Sequence, residues 1–255
     1  MLLTIDIGNT QTTNALFDGD EMVARWATTT CSSETPDEVH QTLACQLSLA
    51  GYSLEDVTDV ALASVVPALT TTMSEVSQRV SGKRPVVVGP GIKSGLPMRY
   101  DNPAEIGADR VADAVAAVDI YGAPVIVVDL GTATNIEVID KDGSFCGGII
   151  APGLVSSSEA LYQHAARLFQ VGFTVPDHVI GTNTADAMSS GIMLGEVARI
   201  DGLVTRIFDE LGYEAPVIAT GGLGRYIAGA SKTITGYEPN LTLHGLRMIY
   251  AKNRG

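Results

Sequence analysis

The sequence is short of positive charge. It carries 16 Lys and Arg against 29 Asp and Glu, a formal net charge of −13. That balance argues against general binding to nucleic acid or to an anionic membrane, since both need a basic face. The short basic clusters Lys83-Arg84 and Lys252-Asn253-Arg254 read as solvated charges. Cysteine is scarce: Cys31, Cys45 and Cys146 are odd in number and have no C-x-x-C spacing. The expectation is a reduced, cytoplasmic chain with incidental thiols and no disulfide framework. Four histidines (His40, His164, His178 and His244) show no metal-ligand spacing and read as structural or exposed. Apolar runs are broken by Asp, Gly or Pro well before the ~18 residues a membrane span needs. Asp6 and Gly8 interrupt what could otherwise be a signal-peptide core, so a soluble protein is expected. A G-x-x-x-x-G-K-[ST] loop and a convincing dinucleotide fingerprint are both absent, which removes P-loop kinases and Rossmann dehydrogenases.

What is there is a repeated design. Leu2-Leu3-Thr4-Ile5-Asp6-Ile7-Gly8-Asn9-Thr10 is an apolar strand that delivers an aspartate to a glycine turn. Thr13 to Phe17 re-enters a strand closed by Asp18-Gly19, which makes a hairpin. Donors in a tight glycine turn suit phosphate oxygens, and a nearby carboxylate suits the Mg²⁺ that accompanies them. A single such hairpin could carry Asp, Gly and Asn merely to make its turn. However, Val125 to Thr134 repeats it as Val-Ile-Val-Val-Asp129-Leu-Gly131-Thr132-Ala-Thr134, followed by the strand Asn135–Ile139 and the turn Asp142-Gly143. The duplication points to two similar α/β domains facing each other across a cleft. It resembles the superfamily of actin, sugar kinases and heat-shock ATPases, with ribonuclease-H-like domains.

Between the hairpins, strands and helices alternate. Met22–Ala27 reads as a third strand. Thr35-Pro36-Asp37-Glu38 starts a helix with a capping hydroxyl, a Pro at the first position and acids in the first turn, and Gly51 ends it. Val60–Val66 reads as a buried strand stopped by Pro67, and a helix through Met73, Val76 and Val80 follows to Gly82. This alternation predicts a sheet with helices on its faces. Gly89–Pro103 is rich in Gly and Pro and is expected to reach the cleft. It leads to Tyr100-Asp101-Asn102-Pro103-Ala104-Glu105-Ile106-Gly107-Ala108-Asp109-Arg110 and a small apolar helix, Val111 to Val118. Asp109 could be a helix cap beside a solvent-exposed Arg110. It could equally be a general base, with Arg110 holding a substrate carboxylate in its fork. Further on, a helix opens at Ser156–Glu159 and runs through Leu161 and Leu168. A long one from about Ala185 carries the stripe Met193, Val197, Ile200, Val204, Ile207 and Leu211, which reads as core.

The D-x-G-N-T hairpin, Y-x-N-P-x-x-I-G-A-D-R and D-L-G-T-A-T together resemble the type III pantothenate kinases. So do Gly147 to Leu154, the stretch Asn183-Thr184-x-x-Ala187-Met188-x-x-Gly191, and Ala219-Thr220-Gly221-Gly222-Leu223-Gly224. The likeness runs from Leu2 to about Asn253. It implies ATP-dependent phosphorylation of the pantothenate 4′-hydroxyl, the first step of coenzyme A synthesis, by a homodimer. It implies that Asp6, Ile7, Gly8, Asn9, Thr10, Gln11, Thr12 and Thr13 cradle ATP phosphates, with Asp6 organising Mg²⁺ through water, and that Thr132 touches ATP. Tyr100, Gly107, Ala108, Asp109 and Arg110 would bind pantothenate together with Thr184, and Asp109 would take the hydroxyl proton. Asp129 would ligate K⁺ or NH₄⁺, and the Gly221-Gly222 turn would lie on the adenosine side. These roles fit phosphoryl transfer, which needs mostly positioning and charge neutralisation. Relatives often differ at Gln11, Thr13, Asn14, Asn135-Ile136-Glu137 and Thr182, where nucleotide affinity and cation preference would tell. The expected domains are 1–118 and 119–255. The alternative is a non-catalytic regulator on the same scaffold, which loss of Asp6, Asp109 or Asp129 would have favoured.

Overall fold

Apolar runs with one polar residue near the end become the central strands of two sheets. The computed structural model describes residues 1–164 and 169–254. In the first sheet, β1 (Leu2–Ile7) pairs antiparallel with β2 (Gln11–Asp18), which pairs with β3 (Glu21–Thr29). α1 (Pro36–Leu49) begins at Thr35, whose hydroxyl accepts from the Glu38 N–H while Glu38 accepts from the Thr35 N–H at 2.8 Å. This capping box and Pro36 satisfy the first-turn donors that a helix leaves open. β4 (Asp59–Ser64) lies parallel to β1, and α2 (Pro67–Ser81) starts on Pro67 and stops at Gly82, φ 71°. β5 (Val86–Val87) forms the edge, and the chain then runs without regular structure, apart from one 3-10 turn at Pro103–Glu105, to α3 (Ala108–Tyr121). α3 starts three residues before the helix expected from the sequence.

The second unit repeats this plan. β6 (Val125–Leu130) pairs antiparallel with β7 (Ala133–Ile139), which pairs with β8 (Phe145–Pro152). α4 (Leu154–His164), α5 (Thr184–Ser189), a π-helical turn (Ser190–Leu194) and α6 (Gly195–Leu211) follow. β9 (Val217–Thr220) is parallel to β6, α7 (Gly224–Ala228) follows, and β10 (Gly236–Tyr237) pairs with β9. The strand orders β3-β2-β1-β4-β5 and β8-β7-β6-β9-β10 are the same, with the same parallel and antiparallel pairings. Each second hairpin strand has a register shift at the same place, Leu16/Phe17 and Val138/Ile139. The fold is therefore α/β with two five-stranded mixed sheets of one design.

Each unit has its own apolar core. One gathers Leu3, Ile5, Ile7, Leu43, Leu47, Leu62 and Val76; the other gathers Ile126, Val128, Ile136, Met193, Ile200 and Val217. Central strands are buried on both faces and read as continuous apolar runs, while the edge strands β3 and β8 alternate. Of the expected stripe, Met193 in the π-helical turn and Val197, Ile200 and Val204 on α6 are core. Leu168, expected on the helix after Ser156, lies outside the described residues.

The last helix, α8 (Leu241–Arg254), packs on β1 and β4 and belongs to the first unit. That unit is Met1–Ala116 with the stretch from Leu241 onward, and the second is Ala117–Asn240. The sequence division at 118/119 kept this C-terminal stretch with the second half. The packing that reassigns it is close: a Cβ on Gly245 would stand 1.9 Å from the Ala112 carbonyl oxygen of α3. Thr242 also donates its hydroxyl to Asp113 Oδ1 at 2.6 Å. Among the described residues, no helix is long and apolar enough to cross a membrane.

Candidate active site

The first hairpin is built by β1 and β2. Asp6 is the fifth residue of β1, half-buried, opposite Thr13 on β2 and Ala63 on β4. Gly8 N–H donates to the Gln11 carbonyl at 3.0 Å, and a Cβ on Gly8 would stand 3.0 Å from that same oxygen. The turn is tied from behind: Thr30 donates its hydroxyl to Gly8 O at 2.8 Å, and its oxygen lies 2.9 Å from Thr12 Oγ1. Asn9, Thr10 and Gln11 are exposed, whereas Ile7 and Thr12 are buried. Of the eight residues expected at ATP phosphates, those two side chains therefore face inward and serve the turn's shape.

Asp129 is likewise the fifth residue of β6 and half-buried, opposite Asn135 and beside Thr220. Gly131 N–H donates to Ala133 O at 3.0 Å, which leaves Thr132 exposed at the tip. The Thr132 carbonyl accepts from Gly153 N–H at 3.2 Å and from Ser156 Oγ at 3.0 Å. Gly153 has to be glycine, because a Cβ there would lie 2.4 Å from Thr132 O and 2.5 Å from Gly131 O. Gly221 holds φ 84°, and a Cβ on it would lie 2.6 Å from both Asp129 Oδ1 and Leu130 O. A carboxylate oxygen and a main-chain carbonyl thus converge beside a glycine loop, whose Gly221 carbonyl accepts from Tyr237 at 3.1 Å.

Asp109 lies in the first turn of α3, half-buried, and accepts from the Arg110 N–H at 2.8 Å. A Cβ on Gly107 would stand 2.4 Å from Asp109 Oδ1. Arg110 is 5% exposed, which overturns the solvent-exposed reading of this arginine and leaves a guanidinium fixed within the fold. Tyr100 is half-buried in the approach to this helix. Thr184 is exposed in the first turn of α5, behind an Asn183 cap that accepts from Asp186 N–H at 2.9 Å.

Among the described residues, no three Asp, Glu, His or Cys side chains form a metal-holding cluster. Mg²⁺ keeps several waters and takes one or two carboxylates plus phosphates, so the half-buried carboxylate of Asp6 fits it. A hard monovalent cation takes oxygen ligands, and Asp129 Oδ1 with Leu130 O is such a pair.

Sequence reasoning passed over Thr30, Glu196 and Arg199, all of which tie down the hairpins, and it met Gly153 only as part of the Gly147 to Leu154 motif, without its grip on Thr132. Arg199 was recognisable only as a charge among the apolar residues of α6, and Glu196 gave no signal.

A family model described as type III pantothenate kinase matches residues 2–206. A type III pantothenate kinase from Thermomicrobium roseum is 48% identical over 252 residues, covering 99% of this chain and 97% of that protein. One from Geobacter sulfurreducens is 45% identical, with both chains covered in full. Among solved structures, a Campylobacter jejuni protein provisionally described as a Baf family transcriptional activator has a TM-score of 0.61 at 22% identity, covering 98% of each chain. A ROK hexokinase from Thermus thermophilus has a TM-score of 0.54 at 12% identity, covering 99% of each. At those identities the two structures speak to the fold, which is that of the sugar-kinase and actin-like ATPases. The full-length identity to curated kinases speaks to more: this chain belongs to the type III pantothenate kinase family.

Proposed function

We propose that this chain transfers the γ-phosphoryl group of ATP to the 4′-hydroxyl of pantothenate, giving 4′-phosphopantothenate and ADP. The observation that carries the reading is the repeated hairpin: an aspartate at the same position of both central strands, followed by a glycine turn with exposed small polar residues. Phosphoryl transfer needs donors and charge neutralisation around the phosphates and one base for the acceptor, and no covalent intermediate.

In this mechanism the Gly8–Gln11 turn and Thr132 hold ATP phosphates. Tyr100, Gly107, Ala108, Arg110 and Thr184 hold pantothenate, with the Arg110 guanidinium on its carboxylate. Asp109 takes the hydroxyl proton as the hydroxyl oxygen bonds to the γ-phosphorus and the bond to the ADP oxygen breaks. Support for Asp109 as base is its half-buried place, with one oxygen already oriented by Arg110 N–H. Asp6 would hold Mg²⁺ through water, and Asp129 with Leu130 O would hold K⁺ or NH₄⁺; bound there, the cations neutralise phosphate charge. The protein would work in the cytoplasm as a homodimer. A coupled ADP-release assay with ATP, Mg²⁺ and K⁺, with and without pantothenate, tests the reading. Pantothenate-dependent release is expected, and release indifferent to pantothenate, or none from folded protein, would overturn it.

A further inference from the structure

The two hairpins are tied down differently. Thr12 and Thr134 are equivalent, each pairing with the last residue of its sheet's central strand, Ile7 or Leu130, and each buried. In the first sheet the Thr12 hydroxyl meets another hydroxyl, that of Thr30, just past the end of β3. In the second, Thr134 sits between opposite charges from α6. It donates to Glu196 Oε1 at 2.8 Å and accepts from Arg199 Nη2 at 3.2 Å, while Arg199 Nη2 lies 2.5 Å from Glu196 Oε2. Arg199 also donates to Pro152 O at 2.8 Å, at the end of β8.

A threonine hydroxyl has one hydrogen to give and lone pairs to receive, and here both capacities are used by charged partners. Its rotor has one arrangement, and charge-assisted bonds are about twice as strong as neutral ones. Pro152 leads directly into Gly153, whose N–H holds the Thr132 carbonyl. One ion pair therefore holds β7, the strand that leaves the Gly131-Thr132 tip, and the end of β8, which leads into the glycine that grips the tip. Glu196 follows the π-helical turn Ser190–Leu194, and an extra residue in a helix rotates the face that comes after it by about 100°. Such turns recur at functional sites.

We propose that Glu196 and Arg199 are positioning residues for the second hairpin, setting the placement of Thr132 and so the affinity for ATP. This rests on the assignment of that hairpin to ATP phosphates. Misplacement of a positioning group by about 1 Å can cost on the order of a hundredfold in rate, and a site held by a loose supporting shell loses its geometry first.

Two readouts test it on the full chain: steady-state kinetics, and hydrogen exchange of the amides 131–134, which needs no substrate. In Thr134→Val and Arg199→Met, KM for ATP is expected to rise about tenfold or more, with KM for pantothenate within about twofold. Arg199→Lys keeps the charge and recovers part of the loss, and the near-isosteric Glu196→Gln serves if the others fold poorly. Exchange at 131–134 quickens in each variant while that of β6 stays slow. Unchanged KM for ATP with unchanged exchange, or an equal rise in both KM values, would overturn the proposal. If the native chain turns over no pantothenate, the assignment to that reaction has failed, and exchange alone decides whether the clamp exists.

Discussion

Gly107 and Asp109 are in such close register that a methyl group on the first would stand 2.4 Å from a carboxylate oxygen of the second. Gly107 is not among the glycines with positive φ, so its backbone accepts alanine, and only the Asp109 carboxylate stands in the way. Gly107→Ala is therefore expected to fold with a melting temperature close to wild type, yet to lose about tenfold or more in kcat as the base is turned aside. Turnover equal to wild type would mean that the position of this carboxylate is immaterial.

Asp109→Asn keeps shape and removes the base. General-base loss costs about 10²–10⁴-fold in rate, with circular dichroism and the melting curve unchanged. Wild-type turnover in this variant would end the base assignment.

At Gly221 both backbone and space forbid a side chain, since φ is 84° and Asp129 Oδ1 and Leu130 O crowd the Cβ position. Gly221→Ala is expected to weaken activation by K⁺, seen as a shift of the K⁺ titration to higher concentration. Equal rates of the native enzyme in K⁺ and Na⁺ would count against a cation at Asp129 altogether.

Asp201 on α6 gives a prediction about acid. Burial pushes its carboxyl up, but donors from Ser231 (2.5 Å), the Lys232 and Thr233 N–H groups and the Thr233 hydroxyl (2.8 Å) outweigh this and hold it below the ordinary 3.8. A carboxylate depressed in the folded state adds stability that is fully present above its unfolded pKa and fades as pH falls through the folded one. Asp201→Asn should thus melt lower than wild type at pH 7, with the gap closing as the pH drops below about 4. A gap constant with pH would mean that the charge contributes nothing.

Gly245→Ala drives a methyl into the Ala112 carbonyl, which is main chain and cannot swing away. Overpacking of this kind costs about 1–3 kcal/mol, measurable as a lower urea midpoint. An unchanged midpoint would mean that α3 and α8 can part without cost.

Local chemistry made much of this molecule legible. The Thr35–Glu38 cap, Pro67 and the two Asp-Gly hairpins are each written within a few residues, and the duplicated sheet followed from the hairpins. What stayed hidden depends on partners far along the chain. The burial of Arg110, the grip of Glu196 and Arg199 on Thr134, and the docking of α8 on β1 and β4 join residues that no short window contains. Apolar periodicity says that a helix has an inward face and leaves open which sheet that face meets.

The discontinuity of the first unit has a consequence for biosynthesis. A chain emerging from the ribosome offers Ala117–Asn240 as one uninterrupted stretch, whereas the earlier residues must wait for α8, which is made after that stretch. Domains usually complete themselves in order of synthesis; here the half that is born first is finished last. Until then β1 and β4 lack their covering helix, so nascent chains stalled before Leu241 should be the ones that chaperones hold.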